Sequence, residues 1–207
     1  VKKLILISPI LMSCKNPVAP VPPDWGTDCQ PSDSEYLELA RSTKHRPPPL
    51  EPGTTPAQAR ADAGDWISSL GYEVVIGEPP LYDGLAGGKN FCAVTLAGKI
   101  YISKDCAANM GEDDLKWAII LRHEGTHAAQ QADIGPGFYP FYFFYAEARL
   151  LAYEAPAYEE TYDTIRFFGG EVTDEMIRAG ASSVYTKYDG THMPRKCYEE
   201  IALELWR

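Results

Sequence analysis

The chain has 207 residues, 45% hydrophobic and 23% charged, with 17 Gly and 17 Pro. Such a composition and length suit one globular domain with a tail and exclude collagen, coiled coil and full disorder. No run of about 18 apolar residues occurs, which excludes an ordinary transmembrane helix. A formal net charge of −10 argues against nucleic acid as a partner, because phosphate binding needs a basic face.

Lys2 and Lys3 precede the largely apolar run Leu4–Met12, and Leu11-Met12-Ser13-Cys14 follows. A basic start, a short apolar stretch and a small residue before a cleavage point read as an export signal. The tetrapeptide resembles the lipobox of bacterial lipoproteins, although Met12 is an unusual choice at its position. That resemblance implies residues 1–13 as a signal peptide and lipid attachment at Cys14. The expected product is extracytoplasmic and lipid-anchored to a bacterial membrane.

Residues 15–33 and 46–56 are rich in Pro, including Pro47-Pro48-Pro49, and are expected to be extended and solvated. Residues 14–55 are therefore assigned to a Pro-rich tether, with a short helix around Ser34–Ser42, and residues 56–207 to the folded domain. Thr55-Pro56 supplies an N-cap and a first-turn proline, and Gly71 a stop, which predicts a helix over 56–70. Tyr72–Ile76 reads as a strand. Asn90–Leu96 and Lys99–Ser103, joined at Ala97-Gly98, read as a hairpin. Glu112-Asp113-Asp114 opens a helix running to about Ala132, since carboxylates favour the positive end of the helix dipole. Gly135-Pro136-Gly137 forces a turn. A second long helix is expected from about Pro140, kinked or split at Pro156. Shorter helices are expected near Asp174–Ala179 and Arg195–Trp206.

Beyond Cys14, four cysteines remain of the five. An even number in an exported chain points to two disulfides. Cys92 and Cys106 bracket the hairpin and form the expected first pair; Cys29–Cys197 follows by elimination. No two cysteines have the short spacing of a zinc-binding pair.

One motif carries chemistry: His123-Glu124-Gly125-Thr126-His127, an H-E-x-x-H pattern inside the long predicted helix. Histidines at i and i+4 project from one helix face, so both imidazoles can reach one zinc ion. Glu124, beside the first of them, is placed to act as general base on a zinc-bound water. Gly125 lowers helix propensity by about 1 kcal/mol, which signals a close approach to that face. The bland alternative is two surface histidines on an amphipathic helix.

A catalytic zinc site commonly uses a third protein ligand. Glu147 and Glu154 both qualify, but they stand about 10 Å apart along a helix and cannot both reach one ion. A strict helical hairpin at 135–137 would favour Glu147; a longer excursion through the aromatic run would favour Glu154. Arg122–Gln131 (RHEGTHAAQQ) resembles the gluzincin class of zinc metallopeptidases, whose third ligand lies in E-x-x-A or E-x-x-D. Glu154-Ala155-Pro156-Ala157 fits that pattern, with Pro156 a departure, and Glu147-Ala148-Arg149-Leu150 fits less well. The spacing from His127 to Glu147, however, resembles that of thermolysin-like enzymes. Glu154 is therefore taken as the third ligand, with Glu147 as the alternative.

The resemblance implies an α+β, zincin-like fold: several helices with a small, mainly antiparallel sheet beside the active-site helix. In such folds an edge strand pairs with extended peptide substrate, and Lys99–Ser103 is the expected edge; an ordinary half-buried hairpin would read the same. Seven of the eight residues at 138–145 are aromatic and suit core packing, a bulky subsite or a membrane-facing patch. Tyr145, Tyr153, Tyr158, Tyr185 and His192 are candidate oxyanion donors. The implied function is zinc-dependent hydrolysis of peptide bonds in a peptide or protein substrate. The alternative is a non-enzymatic zinc-binding lipoprotein on the same scaffold.

Overall fold

A computed structural model describes residues 46–79, 91–134, 153–186 and 194–206. Residues 1–45, with Cys14, Cys29 and the helix expected at 34–42, lie outside that range. So do Glu147, Tyr145, His192 and the aromatic run 138–145.

Helix α1 spans Pro56–Ser69, as its cap signals predicted: the Thr55 side chain accepts from the Gln58 N–H and Pro56 occupies the first turn. Ala59, Ala63 and Ile67, spaced four apart, are its buried residues. Strand β1 (Glu73–Ile76) follows, then β2 (Ala93–Leu96) and β3 (Lys99–Ile102). Ala97 and Gly98 both take positive φ, 51° and 80°, which is the twist a two-residue hairpin needs.

The sheet corrects two expectations. Its order is β1-β3-β2, with β1 parallel and β2 antiparallel to β3, so it is mixed rather than mainly antiparallel. Strand β3, expected at an edge, lies in the centre. Burial explains why: Ile100 and Ile102 are fully buried, whereas β1 is mostly exposed and β2 buries only Thr95. Each fully buried isoleucine favours that position by about 1.5–3 kcal/mol.

Helix α2 (Lys104–Met110), capped by Ser103, was not foreseen. Helix α3 (Asp114–Ile134) carries the H-E-x-x-H motif, and Asp113 caps its start by accepting from the Leu115 and Lys116 N–H groups. Tyr153 and Glu154 form a π-helical turn that leads into α4 (Ala155–Phe167). Pro156 sits in the first turn of α4, where its missing N–H is tolerated; the helix expected from about Pro140 begins outside the described residues. Helices α5 (Asp174–Tyr185) and α6 (Arg195–Trp206) complete the described chain. Among the described residues the architecture is α+β, with six helices and one three-stranded sheet.

Two apolar clusters flank α3. One joins α1, β3, α2 and α3 through residues such as Ile67, Ile100, Trp117 and Leu121. The other joins α4, α5 and α6 around Tyr162, Ile177, Tyr198 and Trp206. Helix α3 packs on α1 and β2 and also on α4, so it bridges the two. A buried ion pair crosses the α3–α4 contact: Arg122 Nε donates to Glu160 Oε1 at 2.6 Å.

The end of the tether is mostly exposed, as expected, but it touches this junction at three points. Pro47 is buried, the Pro48 carbonyl accepts from Arg122 at 3.0 Å, and Arg46 pairs with Glu159. A buried guanidinium needs acceptors for all its N–H groups, and Pro48 supplies one that α4 cannot. Cys92 and Cys106 form the expected disulfide, with Cα atoms 5.1 Å apart. Cys197 is disulfide-bonded too, and its expected partner Cys29 lies outside the described residues. Among the described residues no helix is long and apolar enough to cross a membrane.

Candidate metal centre

His123 and His127 stand one turn apart on α3, as their spacing dictates, with ring centroids 4.9 Å apart. Each ring is oriented through Nδ1. His123 Nδ1 lies 3.0 Å from Thr161 Oγ1, and the Thr161 hydroxyl donates its own proton to the Ala157 carbonyl. Thr161 can therefore only accept from His123, which places the proton on Nδ1. His127 Nδ1 lies 3.0 Å from Gln130 Oε1, while the Gln130 amide nitrogen donates to the Tyr153 carbonyl. That bond fixes which end of the amide faces His127, so Nδ1 carries the proton there as well. In both rings Nε2 is left as the acceptor nitrogen, the tautomer a metal ligand requires.

The π-helical turn before α4 delivers Glu154 to this pair. Its Oε2 lies 3.6 Å from His127 Nε2 and 4.0 Å from His123 Nε2. One ligand atom from each of the three residues lies within 4.8 Å of the others. Donor atoms around a four-coordinate ion with bonds of about 2.1 Å stand about 3.4 Å apart, so closure needs a shift on the order of 1 Å. The donor set and its outer hydrogen bonds fit a metal ion. Glu154, taken as the third ligand, stands beside the histidines; the alternative, Glu147, lies outside the described residues.

Electrostatics within the group are coupled. Burial works against charge on His127, but the hydrogen bond and charge of Glu154, then Glu124 and Gln130, outweigh it and raise its pKa above the usual value. Such a proton is what a cation displaces on binding.

Glu124 is 6% exposed. It follows His123 on the helix, and strand β2 reaches it from the other side. The Thr95 hydroxyl lies 2.7 Å from Glu124 Oε2 and 3.0 Å from the Glu124 main-chain carbonyl. The carboxylate is thereby held in place beside the ligand pair. Gly125 answers the question its presence raised: a Cβ there would lie 2.6 Å from Trp66 Cζ3, so helix α1 is what approaches that face.

The oxyanion candidates separate. Tyr153 stacks on His127, with centroids 4.0 Å apart. Tyr158 meets His123 edge-on at 5.0 Å, and burial, followed by nearby Glu154, Tyr162 and Glu124, pushes its phenol above the ordinary range. Tyr185 packs beside Tyr198 in the other core. Thr95 and Thr161 escaped the sequence reading. Thr161 lies seven residues, two helical turns, beyond Glu154 and so shares its face, which is a usable signal; Thr95 carried none.

No protein-family model matches the chain, and no match was found among the curated proteins or the solved structures.

Proposed function

We propose that the chain is a zinc metallopeptidase of zincin-like, gluzincin-type architecture, in which His123, His127 and Glu154 hold the ion. The reading includes a lipid-anchored, extracytoplasmic protein, carried by the lipobox-like Leu11–Cys14. Imidazole nitrogen and a carboxylate are the donors catalytic zinc sites use, and three of them leave a position for substrate or water. Zinc bound there would supply Lewis acidity, polarising a substrate carbonyl and acidifying water.

The observation that carries the proposal is Glu124. A site that only stabilises the fold has no use for a buried carboxylate beside its first histidine, held at 2.7 Å by a dedicated hydroxyl. In a peptidase Glu124 accepts the proton of the attacking water at a carboxylate oxygen and passes it to the departing amine. Thr95 keeps the carboxylate from rotating away, and Thr161 and Gln130 keep the ligand nitrogens aimed. An acidic chain with no basic excess suits peptide or protein substrates rather than nucleic acid.

Glu124→Gln tests this most simply, because it keeps size and shape but removes the basic oxygen. We expect the variant to fold, retain zinc and lose turnover of a mixed peptide library by at least about 10²-fold. Equal cleavage by wild type and variant would refute the mechanism. A wild type that holds zinc but cleaves no peptide or protein would favour a non-enzymatic zinc-binding module.

A further inference from the structure

Gln131 continues the stripe of His123 and His127 at the same four-residue spacing, so all three project from one side of α3. Its side-chain nitrogen has two hydrogens, and two acceptors lie within reach. One is the Thr95 carbonyl on β2 at 2.9 Å; the other is the Tyr153 hydroxyl at 2.7 Å. Its oxygen faces the Tyr72 hydroxyl at 3.4 Å. The amide therefore spans the strand that holds Glu124 and the turn that bears Glu154.

Tyr153 is the residue before Glu154, and it is gripped at three points. Gln131 holds its hydroxyl, Gln130 Nε2 holds its main-chain carbonyl at 3.1 Å, and its ring lies on His127 with planes 13° apart. Fixing residue 153 at ring and backbone fixes where the next residue starts. A π-helical turn at 153–154 is an irregular conformation that needs such outside support.

We propose that Gln131 is a positioning residue of the metal centre: by tying the Tyr153 hydroxyl to the Thr95 carbonyl it sets Glu154 against the two histidines. The proposal rests on the reading of His123, His127 and Glu154 as metal ligands. Neither glutamate nor leucine can replace the amide, since neither supplies two N–H donors.

The test measures zinc affinity of the full chain by competition with a chelator, alongside the thermal midpoint of the metal-free protein and the visible spectrum after cobalt(II) substitution. The variants are Gln131→Leu, Tyr153→Phe and the double variant. Each single change should weaken zinc binding by about 10- to 100-fold, as loss of outer support for a ligand does. Each should also alter the cobalt spectrum, which reports ligand geometry rather than folding. The double variant should bind no worse than the weaker single, because both changes break the same bond. Zinc affinity of Gln131→Leu within about threefold of wild type would overturn the proposal, as would losses that simply multiply in the double variant. If Gln131→Leu does not fold, Tyr153→Phe, which deletes one oxygen, decides by the same criterion. A folded wild type that binds no zinc would overturn the metal reading itself, a result distinct from a wild type that binds tightly beside an unaffected variant.

Discussion

His127 shows how a single side chain is prepared for its task. It is 4% exposed, stacked on by Tyr153, and held through Nδ1 by Gln130. Its raised pKa has a definite sign in linkage. A histidine whose folded pKa exceeds its unfolded value of about 6.5 stabilises the metal-free fold below that value. The contribution is lost as pH rises through the folded pKa. Zinc, if held as proposed, would displace that proton, so affinity should increase with pH, by up to about tenfold per unit where one proton leaves per ion. Competition titrations between pH 6 and 8 should show this rise, and a flat profile would contradict the upward shift of the His127 pKa.

Among elements, the contact between α1 and α3 leaves no room for a side chain at Gly125. Alanine in place of Gly125 would gain about 1 kcal/mol of helix propensity. Its Cβ, however, would stand 2.6 Å and 3.0 Å from two Trp66 ring carbons and 3.2 Å from Ile67 Cγ1. Overpacking of this kind costs about 1–3 kcal/mol. Gly125→Ala should therefore lower the urea midpoint, and an unchanged or higher midpoint would show that α1 can slide at no expense. The same contact shows what could be read in advance. An out-of-place glycine in a helix signalled a close neighbour, but nothing in the sequence reading named Trp66 as that neighbour. The cap at Thr55 and the acidic start at Glu112–Asp114 likewise announce their helices through local interactions. Strand order was not legible, because β1–β3 pairing depends on which strand can be covered on both sides, a property of the whole assembly. Helix α2 was missed because seven residues carry too little periodicity. Thr95 lay beyond reach because its meeting with Glu124 joins residues 29 apart in sequence.

At the scale of the molecule, the His123–His127–Glu154 group sits where two separate cores meet. The histidines belong to α3, which packs on α1 and the sheet; Glu154 leads into α4, which packs with α5 and α6. Nothing in either core alone would bring the three ligands together. The buried Arg122–Glu160 pair and the Pro48 carbonyl lie at the junction of the two halves. The Cys92–Cys106 disulfide, closing the base of the hairpin, anchors the strand that carries Thr95. The central claim is that this junction exists to hold one zinc ion. Anomalous X-ray scattering at the zinc edge, from crystals of the full chain grown with zinc, tests it directly. The account predicts one strong peak within about 2 Å of His123 Nε2, His127 Nε2 and a Glu154 carboxylate oxygen; a zinc-loaded crystal with no peak there, or with its peak at other residues, would contradict it.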